Sequence, residues 1–150
     1  RGAPGSRGLA AVEFILAVPL LLLVMFAVVE IGRALVQYDT LSYAVRSSAR
    51  FVSENAIAGT SGVVEITAPV RQQAQRLAVY GNAAGSGQAC LPGFATADVE
   101  VVAAGPYDVE VRAAYPYQPV VFDLLPTFGF GAAIPFTPTM RIAVTMRAIS

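Results

Sequence analysis

Residues 7–33 read RGLAAVEFILAVPLLLLVMFAVVEIGR. Residues 14–29 form a run of sixteen without a charge, and 9–12 extend it backwards with Glu13 as the one interruption. At ~1.5 Å per residue a helix over 9–29 covers roughly 30 Å, the hydrocarbon thickness of a bilayer. The stretch therefore predicts a membrane-spanning helix, and the rest of the chain is arranged around it.

Two arginines, Arg1 and Arg7, precede the run. Positive charge before a first span favours a cytoplasmic N-terminus, which would place the chain after Val29 outside the inner membrane. Residues 2–6 (GAPGS) carry no helical signal and read as a flexible leader. A secretory signal peptide would have an apolar core of about 7–15 residues and a small-residue cleavage site, whereas this run is longer and ends in EIGR. Pro19 removes one helical hydrogen bond, which predicts a local bend, read either as a passive kink or as a hinge. Glu13 is expensive inside an apolar span, about 2.5–3.5 kcal/mol at the bilayer centre. It lies five residues after Gly8. A cut between Gly8 and Leu9 would make it the fifth residue of the new chain, within reach of a neighbouring subunit's α-amino group. A carboxylate at the headgroup boundary is the other reading.

Residues 7–14 (RGLAAVEF), Pro19 and residues 30–33 (EIGR) resemble the TadE-like pseudopilins, minor pilins of the tight adherence (Tad/Flp) type IV pilus system. The pattern continues in residues 44–50 (AVRSSAR), with Ser48 where glycine is common, and Asp39 stands where asparagine is common. The resemblance implies a non-enzymatic subunit cut by a prepilin peptidase between Gly8 and Leu9. It implies Glu13 as the pairing carboxylate and Pro19, Glu30, Gly32, Arg33, Arg46 and Arg50 as family positions. The implied partners are the peptidase, the Flp-type major pilin, other minor pilins, platform membrane proteins and the lipid bilayer. The implied location is a bacterial inner membrane, with a periplasmic head that enters an extracellular pilus, in a system of adhesion and biofilm formation. A filament-forming pilin and an unprocessed single-pass membrane protein with a periplasmic interaction domain remain as alternatives.

Beyond Arg33 the helical pattern continues through Leu35, Tyr38, Leu41, Val45, Ala49 and Val52. Arg46 and Arg50, one turn apart, read either as a solvated face or as partners for acids of neighbouring subunits. The predicted layout is a leader at 1–8, a span at 9–32, an amphipathic continuation at 33–54 and a head at 55–150. Residues 54–62 read as a linker. Thr67 and Pro69 predict a helix start, and Gly81 its end. Its apolar face is Val70, Ala74, Leu77 and Ala78, with Arg71, Gln72, Gln75 and Arg76 exposed. Residues 81–96 read as a Gly/Ala-rich loop. Residues 98–101, 107–112 and 141–148 alternate with the period of strands. The first two form a hairpin around Gly105-Pro106, valines towards the long helix and acids towards water. The sum is an α+β fold: a long transmembrane stalk helix, then a small head with one short helix and an antiparallel β-sheet, the lollipop shape of pilins.

Residues 115–140 are broken by prolines yet rich in Phe, Leu and Ile, which fits either a cap on the sheet or an interface. The composition excludes most chemistry. There is no histidine, and Cys90 is the one cysteine, so no intrachain disulfide, Cys/His metal site or Cys–His dyad can form. Cys90 reads as a small buried apolar residue or a free thiol. No phosphate-binding or nucleophile motif is present, so no cofactor, metal or small-molecule substrate is expected. A formal net charge of zero gives no general attraction to nucleic acid. The carboxylates Asp98, Glu100, Asp108 and Glu110 are placed by their alternation on the water face of the hairpin.

Overall fold

The computed structural model describes residues 6–56, 63–120, 124–125, 131–132, 134–135 and 137–148; at 6, 7, 9, 124, 125, 134 and 135 it describes the backbone alone. Helix α1 spans Ser6–Asn55, 50 residues with Pro19 inside, and is therefore ~75 Å long. It starts earlier than the leader reading allowed, because Ser6, Arg7 and Gly8 belong to its first turn. The first four N–H groups of a helix need no intrahelical partner, so a weak helix former there costs little. It also runs to Asn55, taking two residues of the expected linker. Residues 57–62 of that linker lie outside the described residues.

Helix α2, Ala68–Tyr80, has Pro69 in its first turn and ends at Gly81, whose φ of 71° is left-handed and whose N–H donates to the Leu77 carbonyl at 2.9 Å. Glycine adopts that φ without a Cβ penalty. Thr67 precedes the helix with extended backbone but makes no side-chain cap. Ala74, Ala78 and Val79 are buried, while Val70 and Leu77 are half-buried. Gln75, expected to be exposed, is half-buried and donates to the Val99 carbonyl at 2.9 Å.

The main sheet has three antiparallel strands in the order β1–β2–β5: Val99–Ala103, Asp108–Pro116 and Thr139–Arg147. Strand β2 is central, paired from Asp108 opposite Arg147 to Pro116 opposite Thr139. Its alternation buries Val109, Val111, Ala113 and Tyr115 and turns Arg112 and Ala114 outward. That inner face, with the half-buried Met140, Ile142, Val144 and Met146 of β5, packs against the distal half of α1. Within residues 115–140, β3 (Leu124–Leu125) pairs with β4 (Ile134–Pro135) as a short antiparallel ladder, so this segment is not wholly irregular. Phe122, Phe128, Phe130 and Phe136 lie outside the described residues.

The buried face of α1 differs from the expected stripe. Leu41, Ala44, Val45, Ser48, Ala49, Val52 and Ser53 are buried, but Leu35 is 61% and Tyr38 46% exposed. Gln37 and Glu30 take those places on the covered face. The loop between α2 and β1 is anchored by Asn82, whose side chain accepts the Gly85 N–H at 2.9 Å and donates to the carbonyls of Tyr80 and Ser86. Its Leu91 and Phe94 enter the core, and Phe94 meets Tyr115 edge-on at 5.8 Å between ring centroids. Asp98 does not begin a strand. It closes a 3-10 turn, and its carboxylate accepts the Ala95 N–H at 2.9 Å.

Candidate functional site: where the head grips the stalk

Strand β2 and its extension carry Tyr115 and Tyr117 on the inner face, two residues apart and both almost wholly buried. Each reaches a polar residue of α1. The Tyr117 hydroxyl donates to the Glu30 carboxylate and lies 3.3 Å from the Glu30 carbonyl oxygen. The Val120 N–H adds to the same carboxylate, 3.3 Å from both oxygens. Glu30 is only 4% exposed although it ends the apolar run. A buried carboxylate is tolerable where donors surround it, and the head supplies them.

Seven residues along the helix, Gln37 meets the Tyr115 hydroxyl at 3.2 Å, and that hydroxyl also lies 3.0 Å from the Pro92 carbonyl. A hydroxyl has one proton to give, so a Gln37 amide turned to present its N–H to Tyr115 satisfies both contacts. Seven residues is two helical turns, so Glu30 and Gln37 lie on one face, and the two tyrosines engage that face from one strand. Further on, Ser48 is buried where α1 meets α2 and donates to the Ala74 carbonyl at 2.8 Å. Burial pushes both tyrosine hydroxyls up, Tyr117 to about 12, with the Glu30 hydrogen bond as its second cause. The Arg33 charge acts the other way on both.

The other sequence-derived positions are spread along the helix. Gly8, Glu13 and Pro19 are exposed on its apolar half, and the Leu9 side chain is not among those described. Gly32 is exposed, and a Cβ built there meets nothing within 4 Å. Arg33 is half-buried beside the grip. Arg46 and Arg50 are exposed, which both readings of them allow, and Arg50 pairs with Glu54 one turn on at 3.0 Å. With both partners more than half exposed, that pair contributes little.

Cys90 is exposed rather than buried. Partial desolvation pushes its thiol up, and its Sγ lies 3.4 Å from the Ala78 carbonyl. Of the hairpin's acids, Glu110 and Glu100 flank Arg112 at 2.7 and 3.9 Å. An open groove on this outer sheet face, bordered by Arg71, Arg112 and Arg141 with Asp98 and Glu100, is mixed in charge. Among the described residues no cluster of His, Cys, Asp or Glu could hold a metal ion.

Residues 8–50 match the TadE family, described as TadE-like protein. The stalk is TadE-like. The matched segment begins at Gly8, includes Glu13, Glu30 and Gln37, and ends at Arg50; it is less than a third of the 150-residue chain. Comparison with curated proteins and with solved structures gave no match. The TadE-like stalk thus contributes one side of the grip, and the head beyond it contributes Tyr115, Tyr117 and Val120. The α1 helix is long and apolar enough to cross a membrane, and its apolar half is almost bare of intramolecular cover. Helix and family match together point to membrane association.

Proposed function

We propose that the chain is a minor pilin, or pseudopilin, of a Tad pilus system. Its apolar half-helix anchors it in the inner membrane, with the head on the periplasmic side. A prepilin peptidase cuts between Gly8 and Leu9, and the mature subunit joins the Flp-type major pilin and other minor pilins. The observation that carries this reading is the TadE match itself, which opens at Gly8 and runs through Glu13 and residues 30–33. The geometry supports it. The head is packed along one face of the distal stalk, while the proximal half exposes Phe14, Leu16, Leu20 and Leu21, a surface suited to lipid or to other helices. Glu13 is exposed in the midst of those side chains. Inside an assembly it would pair with the new α-amino group of a neighbour.

The test is Glu13→Gln in the native host. It removes a charge from the span, so insertion survives. The scissile bond is untouched, so cutting survives. Crosslinking of the mature subunit to pilus partners should fall sharply against total membrane-bound protein. A Glu13→Gln subunit that is cut, inserted and incorporated at the wild-type level would refute the pairing role.

A further inference from the structure

Glu30 is the first charge after the sixteen uncharged residues 14–29, so it marks the level at which the span leaves the hydrocarbon. The head is tied to the helix at that same residue, through the Tyr117 hydroxyl and the Val120 N–H. The backbone of residues 117–120 is thereby held within one side chain's length of the exit point. Val120 itself is 70% exposed, and Val29 and Ile31, which flank Glu30 in the helix, are exposed as well. Exposed apolar side chains thus stand both at the end of the span and on the head residue tied to it, and what covers the span is the simplest cover for both.

We propose that this corner of the head, residues 117–120, rests on the lipid bilayer, with Val120 in the interfacial layer. The hydrogen bonds to Glu30 then do two things. They neutralise the cost of a carboxylate at the membrane boundary by surrounding it with donors. They also fix the height of the head, because the corner cannot rise from the surface without exposing Glu30. Arg33, one turn outward, is placed to reach lipid phosphates with its long side chain. The contact is set by a head residue that lies outside the TadE-like segment.

The inference rests on residues 9–29 spanning a membrane, but not on peptidase cutting or on pilus partners. The experiment is spin-label depth measurement on the full chain, in a Cys90→Ser background, in vesicles of phosphatidylcholine with phosphatidylglycerol. Single labels go at Leu20→Cys, Val120→Cys and Tyr43→Cys. Tyr43 is 78% exposed and thirteen residues beyond Glu30, hence ~20 Å further along the helix. The expected result is a deep Leu20 label, a Val120 label at interfacial depth, and a Tyr43 label in water. The oxygen-to-nickel-chelate collision ratio at Val120 should be several-fold that at Tyr43. A Val120 label as wet as the Tyr43 label, with Leu20 still deep, overturns the inference alone. A wet Leu20 overturns it together with the spanning helix. Shielding at Val120 that disappears on dilution into excess lipid assigns the corner to a second copy of the chain and also overturns it.

Discussion

Tyr117 and Glu30, 87 residues apart in sequence, share a buried hydrogen bond that joins the head to the stalk where the apolar span ends. Because a carboxylate is involved, the bond belongs to the stronger class. Tyr117→Phe keeps the buried ring and removes the donor. It should destabilise the detergent-solubilised chain by roughly 1.5–3 kcal/mol in chemical unfolding. Tyr115→Phe, which loses contacts to neutral groups only, should cost about 1 kcal/mol. Equal or reversed losses would show that the Glu30 bond is not the dominant tie.

The same pair predicts alkaline sensitivity. Tyr117 is pushed from the ordinary 10.0 up to about 12, first by burial and then by its bond to Glu30. A phenol raised in the folded state favours folding while it is protonated. Its contribution is therefore complete below about pH 10 and is lost as pH climbs towards 12. Phenolate absorbance should show a late step near 12 that coincides with loosening of the head. Tyr117→Phe should abolish that step; if it persists unchanged, the late titration belongs elsewhere.

Two glycines should respond to alanine with opposite signs. Gly81 has φ +71° with open space around it, so a Cβ is strained by the backbone conformation alone, and Gly81→Ala should cost about 1 kcal/mol. Gly32 lies mid-helix, again with open space, so Gly32→Ala should stabilise the isolated subunit by about 0.5–1 kcal/mol. Thermal unfolding of both variants checks this. If the more stable Gly32→Ala subunit also assembles poorly, the space at Gly32 is used by a partner.

Ser48 tests how closely the two helices meet. Ser48→Ala should cost about 1 kcal/mol through the lost bond to Ala74, while Ser48→Leu should overpack the contact and cost about 1–3 kcal/mol. Urea unfolding of both variants gives the comparison, and a harmless leucine would mean that the helices are not in close contact there.

Much of the architecture was legible because its signals are periodic. The uninterrupted apolar run, the Thr67-Ala68-Pro69 start and Gly81 stop of α2, and the alternating valines of β1 and β2 all formed as read. The grip was not legible. Glu30 and Gln37 are polar, and a polar residue on a helix reads as solvated until a partner is known. Leu35 and Tyr38 looked like core for the opposite reason. Their partners would have been visible only by pairing Tyr115 and Tyr117 with a helix some eighty residues earlier, and no local pattern encodes that. The loop read at 81–96 showed no pattern because its order comes from the contacts of Asn82 and Cys90 and from two apolar residues spaced without a period.

Gly8 separates the chain's own structure from recognition by an enzyme. A Cβ there meets nothing within 4 Å, so Gly8→Ala should leave the fold intact, and any block in processing would act at the peptidase. Processing at the Gly8–Leu9 bond is tested most directly by the N-terminal sequence of the wild-type protein isolated from the membranes of its natural host, read by Edman chemistry or intact mass. The expected result is a mature chain that begins at Leu9, and an uncut precursor in the Gly8→Ala strain. A wild-type protein that still carries residues 1–8, or one cut beyond the apolar run, would rule out processing at Gly8.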